Sequence, residues 1–323
     1  MDCAKIMTGK LPPEALRRSV LGFCGAARPE LLIGPAVGED AAVIEWRNGK
    51  YLVFSSDPIV GAEKGAGKLL VRINCNDIAS KGGEPAYLAV TLVLPPSFGE
   101  DGVAAIMSEI HEECLAQGIA IAGGHTELND RYERPVIMGA LIGTADRVLR
   151  ATTLEKGDVL MVTKHVGIEG MSILAMDRRD LLEDFMTDEE IGEMASWSDR
   201  TSVLEESRAV RHLAKFMHDP TEGGFMGGAQ EICTLSGLMM EIDRAAVPVH
   251  PLTALAAEKL GFDPLSLIAS GSLLIALAPG DVAEAGALLK KAEIEAAVVG
   301  QMGGPLTEPV PSPTEELWGL LKR

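Results

Sequence analysis

The chain has 323 residues, 47% of them hydrophobic and 24% charged, which excludes an intrinsically disordered protein and allows two separate cores. The formal net charge of −18 repels phosphate backbones and excludes nucleic acid as an expected partner. No apolar leader is expected at Met1–Lys10, no run approaches the ~18 apolar residues of a membrane span, and the five cysteines form no CxxC pair, so we expect a cytoplasmic protein with no membrane partner.

Predicted strands and helices alternate in the first half of the chain. Helical spacing predicts a helix from Leu11 to Cys24, and Asn48-Gly49 predicts a hairpin turn between two strands. A strand at 119–122 is predicted to be short and buried and to lead into a Gly123-Gly124 turn. The other predicted elements are strands at 41–46, 51–55, 86–94 and 135–144 and helices at 67–81 and 101–117.

A polar stretch at 150–157 predicts a domain boundary, which gives an N-terminal domain at 1–150 and a C-terminal domain at 151–323. The second domain is richer in helix, and its end is predicted as a loop from Pro305 followed by a short helix. Its other predicted elements are helices at 169–176, 188–196, 203–216, 223–236 and 281–292 and strands at 159–163, 238–242, 272–277 and 297–299.

Two acidic segments flank the predicted hairpin. Asp40 precedes its first strand and Asp57 follows its second, so we expect the two carboxylates to lie near one another across the turn. Mg²⁺ takes carboxylate oxygens together with substrate phosphates, and a pair of like charges needs such a cation or hydrogen bonds. The alternative is that both segments are polar loops with solvated acids.

Lys68, Asn76 and Asp77 lie on one predicted helix. Lys68 and Asn76 are about two turns apart and therefore share a face. A lysine can neutralise a phosphate and an aspartate can hold a metal ion, which makes this face a candidate nucleotide site. The alternative is a surface lysine and a surface acid, although Asn76-Asp77 stand among apolar residues.

The segment Gly123-Gly124-His125-Thr126-Glu127 follows a predicted strand. Glycines let a backbone approach phosphate oxygens closely, with N–H groups that donate. The segment matches neither a Walker loop nor a GxGxxG loop. An ordinary turn, with His125 hydrogen-bonded inside it, is the alternative.

The segment from His218 to Gly224 opens a predicted helix. Thr221 or Asp219 suits the N-cap position and Glu222 suits the first turn, so the segment can be an ordinary cap. The other interpretation is an anion or substrate site at a helix N-terminus, with His218 and Asp219 as acid–base groups.

Taken in chain order, these segments resemble the AIR-synthase (PurM-like) superfamily over residues 9–300. The segments are GEDAAVI, SSD, GKLLVRINCNDIASKGGEP, GGHTE, GIEGMSILA and HDPTEGGFMGGAQEI. Within the superfamily, the parts Gly9–Pro12, Gly167–Gly170 and His218–Gly224 are most similar to the HypE family of hydrogenase maturation factors.

The resemblance implies a two-domain PurM-like fold, with an α/β N-terminal domain and an α+β C-terminal domain that forms an α/β sandwich. It also implies a homodimer whose N-terminal sheets form a barrel, with Mg-ATP bound at the interface. The implied Mg²⁺ ligands are Asp40, Asp57, Asp77 and Glu127. The implied contacts to ATP are Lys68, Asn76, Gly123, Gly124 and Thr126, and the catalytic candidates are His125, His218 and Asp219.

The implied activity is phosphoryl transfer from ATP to a carbonyl or amide oxygen, which turns that oxygen into a leaving group, with a maturation protein as a further partner. The HypE family carries a cysteine at its extreme C-terminus, whereas this chain ends Leu320–Arg323 and its last cysteine is Cys233. The acceptor therefore stays open. The alternatives are a small-molecule kinase similar to thiamine-monophosphate kinase or selenophosphate synthetase, and a non-catalytic nucleotide-binding scaffold.

Overall fold

A computed structural model of the chain describes residues 13–19, 21, 28–59 and 65–323. The first helix, α1, spans Pro13–Ser19. The predicted ends of this helix at Leu11 and Cys24 lie outside the described residues, as do the Gly9–Pro12 opening and the segment Met1–Lys10.

The first half of the chain forms a seven-stranded sheet with two long helices. Its strands lie in the order β1-β2-β3-β7-β5-β6, and β4 pairs with β7. All pairs are antiparallel except β5 with β6. The elements are β1 Leu31–Ile33, β2 Ala42–Glu45, β3 Tyr51–Ser55, β4 Pro58–Ile59, α2 Ala66–Ser80, β5 Glu84–Leu94, α3 Gly99–Gln117, β6 Ala120–Leu128 and β7 Val136–Ala145.

Helices α2 and α3 cover one face of this sheet. Alternate residues of β5, such as Leu88 and Leu92, are fully buried against α2 residues such as Leu70 and Ile78, which is the period-2 pattern of a half-buried strand. The opposite face carries large apolar side chains that the chain itself does not cover. These are Phe54, Tyr87, Met138 and Ile142, which are 38% to 57% exposed.

The second half forms a five-stranded antiparallel sheet in the order β10-β12-β8-β11-β9. The elements are β8 Val159–Thr163, α4 Ile168–Asp177, α5 Asp188–Ser196, α6 Leu204–Val210, β9 Phe216–His218, α7 Gly224–Ser236, β10 Leu238–Ile242, α8 Pro251–Leu260, β11 Leu274–Leu277, α9 Val282–Lys291, β12 Ala296–Pro305 and α10 Leu317–Leu320.

Helices pack on both faces of the second sheet. On β8, Leu160 packs into the same core as Phe225 of α7, whereas its neighbour Met161 packs into the core of α6 and α9. Because successive strand residues point to opposite faces, a strand covered on both sides must be continuously apolar, as β8 and β11 are. This arrangement confirms the predicted α/β sandwich.

The secondary structure differs from the predictions in several places. The predicted helix at 203–216 ends at Val210, and the chain then enters β9, a three-residue strand too short to show a period-2 pattern. Helix α8 was not predicted, although His250 accepts a hydrogen bond at its N-cap and Pro251 begins it. The strand predicted at 119–122 extends from Ala120 to Leu128 and is mostly exposed, because β6 is an edge strand.

The predicted domain boundary at 150 falls in the connection between β7 and β8 and stays a prediction. No helix among residues 13–19, 21, 28–59 and 65–323 is long and apolar enough to cross a membrane.

Candidate functional site

His218 stands at the centre of a buried network that joins the two halves of the chain. Its Nδ1 lies 2.7 Å from Asp40 Oδ1, and its Nε2 lies 2.7 Å from Glu231 Oε2. Both ring nitrogens face carboxylates, which accept only, so both must carry protons and the ring is an imidazolium. Burial alone would lower the pKa of His218, but Asp40 and Glu231 outweigh it and raise the pKa to about 10.

Asp40 is held in its ionised form by two cations. Burial acts to raise the pKa of Asp40, but the charges of His218 and Lys81 outweigh burial and bring the pKa below its usual value. Lys81 is fully buried, and its Nζ lies 2.6 Å from Glu39 Oε2 and 3.9 Å from Asp40 Oδ2. A Cβ placed on Gly38 would lie 2.7 Å from Glu231 Cβ, so a glycine is required for the Gly38–Asp40 loop to pack this closely on α7.

Asp77 lies among other carboxylates on the buried side of α2. Burial, and then the charges of Asp57, Asp219 and Asp40, hold the pKa of Asp77 well above its usual range. Ser55, the last residue of β3, donates a hydrogen bond to Asp77 Oδ2. Four aspartates from four separate segments therefore converge, and the sequence predicted that Asp40 and Asp57 would lie near one another.

The backbone of Asp57 is held by Asn74, a residue that the sequence analysis missed. Asn74 Oδ1 accepts a hydrogen bond from Asp57 N at 3.1 Å, and Asn74 Nδ2 donates to Asp57 O at 3.3 Å and to Leu70 O at 2.9 Å. An asparagine between the apolar residues Ile73 and Cys75 of a predicted helix was the available signal, and Asn76 carried a similar signal two residues later.

Asn76 and Lys68 face the second half of the chain rather than the aspartates. Asn76 Nδ2 donates to Thr201 O at 2.8 Å, and Asn76 Oδ1 accepts from Val203 N at 2.9 Å. Lys68 pairs with Asp199 and lies nine residues before Asp77, which is about 13 Å along the helix axis. Both side chains tie α2 to residues 199–203, and their predicted contact with phosphates stays a prediction.

The Gly123–Glu127 segment is a strand rather than the predicted turn. Gly123 and Gly124 lie within β6 and pair with Ala89 and Val90 of β5. A Cβ on Gly124, whose φ is 149°, would lie 1.9 Å from Val90 O, so this glycine is explained by the close approach of two strands.

The segment's polar side chains are exposed on β6. His125 Nε2 lies 3.1 Å from Glu127 Oε2, and Asn129 donates to Glu127 Oε1 at 2.9 Å. Asp57 aligns with Gly139 of β7, Val90 of β5 and Gly124 of β6, so β6 is three strands away, about 14 Å. Within one copy of the chain, His125, Thr126 and Glu127 are therefore not brought together with the four aspartates.

Asp219 and His218 lie before α7 rather than at its first turn. His218 ends β9, and Asp219 is almost completely buried next to Asp77. The N-cap of α7 is Gly223 rather than the predicted Thr221 or Asp219. Because both nitrogens of His218 are occupied by carboxylates, its position favours holding Asp40 over the predicted acid–base role.

The residues that the sequence analysis missed are Asn74, Lys81 and Glu231. Lys81 lay at the predicted end of a helix, where a basic residue is ordinary. Glu231 lay in the middle of a predicted helix with no unusual neighbour. Their roles depend on contacts between residues far apart in sequence, which local patterns do not reveal.

The aspartates fit Mg²⁺ that is bound together with phosphates. In the part of the chain that the structure describes, no group of three His, Cys, Asp or Glu side chains is placed to enclose a metal ion. Mg²⁺ does not require such an enclosure, because it usually takes one or two carboxylates, several waters and substrate phosphates. A buried Asp77 beside Asp57 and Asp219 is the kind of like-charged group that a hard cation compensates.

The fold and the site define a class of two-part α/β protein in which acidic side chains of the first sheet and its helix meet the second sheet. Residues 38–145 match the description "AIR synthase related protein, N-terminal domain", and residues 155–306 match "AIR synthase related protein, C-terminal domain". The chain belongs to the AIR synthase related family, which confirms the predicted resemblance.

The chain is similar in sequence to two curated relatives. It is 27% identical over 282 residues to the putative hydrogenase expression/formation protein MJ0676 of Methanocaldococcus jannaschii, which covers 84% of this chain and 81% of the relative. It is 29% identical over 238 residues to the carbamoyl dehydratase HypE of Escherichia coli K12, which covers 71% of this chain and 68% of the relative.

Solved structures share the fold. The structure of HypE in complex with ATP superposes with a TM-score of 0.65 at 23% identity, covering 90% of this chain and 84% of that one. The structure of the HypE–HypF complex superposes with a TM-score of 0.69 at 20% identity, covering 86% of this chain and 94% of that one. The structure of AaThiL complexed with AMPPCP and TMP superposes with a TM-score of 0.69 at 17% identity, covering 84% of this chain and 86% of that one.

Proposed function

We propose that the chain is a HypE-like enzyme of hydrogenase maturation that uses Mg-ATP to phosphorylate a carbonyl or amide oxygen. The observation that carries this proposal is the convergence of Asp40, Asp57, Asp77 and Asp219 between the two sheets. Burial of like charges is costly unless a cation compensates them, so the arrangement suits a metal-bound nucleotide. The curated relatives supply the reaction class, since one is named a carbamoyl dehydratase.

The chain's own residues would act mainly by placement. Asp57 and Asp77 would hold Mg²⁺, because the first is half-buried with its backbone fixed by Asn74 and the second is buried beside it. A bound Mg²⁺ would supply positive charge to compensate the phosphates. Asp40, aligned by His218 and Lys81, would be a further carboxylate for the same ion. Transfer of the γ-phosphoryl group would form an O–P bond to the acceptor oxygen and release ADP. Cleavage of the carbon–oxygen bond in a later step would release inorganic phosphate, as an amide nitrogen loses a proton and forms a further bond to the carbon.

Calorimetry with ATP tests the nucleotide site. The wild-type protein is expected to bind ATP with Mg²⁺ and to lose that binding when EDTA removes the metal. Asp57→Asn is expected to weaken Mg-ATP binding by at least about tenfold, since it removes one charged metal ligand. Asp130→Asn, which neutralises an exposed acid, is the matched control and should bind as the wild type does. A wild-type protein that does not bind millimolar Mg-ATP would remove the proposed function.

We also propose that the protein is a homodimer in the cytoplasm, in which the open face of the first sheet is covered by a second copy. Phe54, Tyr87, Met138 and Ile142 form an exposed apolar surface on that face. Surfaces of this kind are typical of protein interfaces. In such a dimer the ATP site lies at the interface, and His125, Thr126 and Glu127 on β6 of one copy would complete the site of the other.

Light scattering tests the dimer. Ile142→Asp places a charge on the apolar face and is expected to convert a dimer of about twice the chain mass into a monomer, because the buried charge would have no partner. Leu115→Asp is the control, since Leu115 is an exposed apolar residue on α3, and this variant should stay dimeric. Equal masses for the two variants would contradict this interface.

A non-catalytic scaffold remains a second candidate, because Lys68 and Asn76 contact protein groups rather than the aspartates. Release of ADP separates the two functions. An enzyme is expected to produce ADP when a carbamoylated protein thiol or another amide acceptor is present, whereas a scaffold binds Mg-ATP and leaves it intact. A maturation protein similar to HypF is the partner from which such an acceptor would come.

A further inference from the structure

The segment 306–321, which we name the strap, packs along the second half of the chain and ends in the core of α4, α5 and α8. Leu306 N donates to Gly237 O at 2.8 Å, and Gln230 Nε2 donates to Val310 O at 3.3 Å. Leu317 and Leu320 of α10 are buried in the core of α4, α5 and α8. The strap is therefore fixed at several points to elements that precede it in the chain.

The strap brings one carboxylate to the N-terminus of α7. Glu315 Oε2 accepts a hydrogen bond from Gly223 N at 2.6 Å. Glu315 Oε1 accepts from Ile268 N at 3.0 Å and from Leu317 N at 2.8 Å. A single side chain thus satisfies backbone donors of three different segments. Pro313 packs beside the same glycine.

Gly223 is one end of a short span that carries the candidate site residue Asp219. At the other end, His218 is held by pairing with Leu274 of β11 and by the carboxylates of Asp40 and Glu231. Asp219 and Glu222 lie between these two fixed points. A span of four residues fixed at both ends has few conformations, whereas one fixed at a single end has many.

We propose that Glu315 is a positioning residue, whose carboxylate fixes the Gly223 backbone and thereby keeps Asp219 aligned with Asp57 and Asp77 for Mg-ATP. The role rests on the proposed nucleotide site. Glu315 bonds to the Gly223 backbone, so its effect on the aspartates passes through the backbone from Gly223 to Asp219. Loss of a group that orients a ligand typically weakens binding by about tenfold or more.

Glu315→Gln separates this role from simple docking of the strap. A glutamine carbonyl in place of Oε1 still accepts from Ile268 N and Leu317 N, so the strap stays attached. Its amide group replaces Oε2 and meets the Gly223 N–H with a second donor, which removes that one hydrogen bond. Glu308→Gln makes the same chemical change at an exposed strap residue and is the matched control.

The variants are compared by Mg-ATP calorimetry, by hydrogen exchange at the Gly223 amide and by thermal unfolding. In Glu315→Gln we expect the Gly223 amide hydrogen to exchange about tenfold faster and Mg-ATP to bind about tenfold more weakly than in the wild type. The unfolding temperature of the variant should lie within about 3 °C of the wild-type value. Glu308→Gln should match the wild type in all three. If Glu315→Gln is too unstable to measure, Glu315→Asp, which keeps the charge on a shorter side chain, takes its place with the same expected losses.

Wild-type Mg-ATP affinity in Glu315→Gln would overturn the proposal, whether or not exchange at Gly223 is faster. Weaker Mg-ATP binding with unchanged exchange at Gly223 would overturn it as well, because the effect would then not pass through that backbone. The proposed function fails in a different way, since the wild-type protein itself would then bind no Mg-ATP.

Discussion

Replacing His218 with alanine is expected to lower the free energy of unfolding of the ligand-free protein by about 3–5 kcal/mol, the usual cost of removing one partner from a buried ion pair. The imidazolium bridges Asp40 and Glu231 at 2.7 Å on each side and is almost completely buried. Its removal leaves Asp40 with Lys81 as its remaining cation, at 3.9 Å. Urea unfolding measures the loss, and His212→Ala, at an exposed histidine, is the control.

The double variant His218→Ala/Glu231→Gln identifies the origin of that loss. If the cost comes from carboxylates left without their cation, neutralising Glu231 should restore part of the stability, so the two changes are not additive. Simple additivity would indicate that the loss comes from the cavity left by the imidazole ring rather than from charge.

The same network predicts a pH dependence with a definite sign. The pKa of His218 is raised from 6.5 to about 10 in the folded protein. Its contribution to stability is therefore fully present below about pH 6.5 and is lost as the pH rises through about 10. In EDTA, the difference between wild type and His218→Ala should shrink by up to about 1.4 kcal/mol per pH unit above pH 6.5. A difference that stays constant from pH 6.5 to pH 9.5 would contradict a protonated His218.

Asp40, Asp57 and Asp77 could be singled out from the sequence because each stands in a distinct local pattern. Asp40 and Asp57 flank a hairpin, and the hairpin alone places them near one another. Asp77 is an acid on the apolar side of a helix, where a charged residue needs a partner. These are local patterns, so local reasoning was sufficient.

The contacts between the two halves could not be found in this way. His218 and Asn76 are bound by residues 178 and 125 positions away, respectively. No period or turn signal encodes such a distance in the chain. The prediction of a turn at Gly123-Gly124 was wrong for a related reason. A glycine required by the close approach of a neighbouring strand cannot be told in the sequence from a glycine required by a turn.

Asp77→Asn is expected to stabilise the ligand-free protein and to abolish its stabilisation by Mg-ATP. Burial and three neighbouring aspartates raise the pKa of Asp77, so the folded protein binds its proton more tightly than the unfolded chain does. Wild-type stability must then fall as the pH rises above about 3.8, until the folded-state pKa is passed. An asparagine carries no charge and its carbonyl can still accept the hydrogen bond of Ser55.

Near neutral pH in EDTA, we expect Asp77→Asn to exceed the wild type by about 1–3 kcal/mol in urea unfolding. Mg-ATP at one hundred times its Kd should add about 2.7 kcal/mol to the wild type and nothing measurable to the variant. Asp184→Asn, at an exposed acid, is the control and should change neither quantity. An Asp77→Asn protein that is less stable than the wild type in EDTA would show that protein groups already compensate the charge of Asp77. The opposite result would mean that the chain retains a destabilising buried carboxylate because a bound cation requires it.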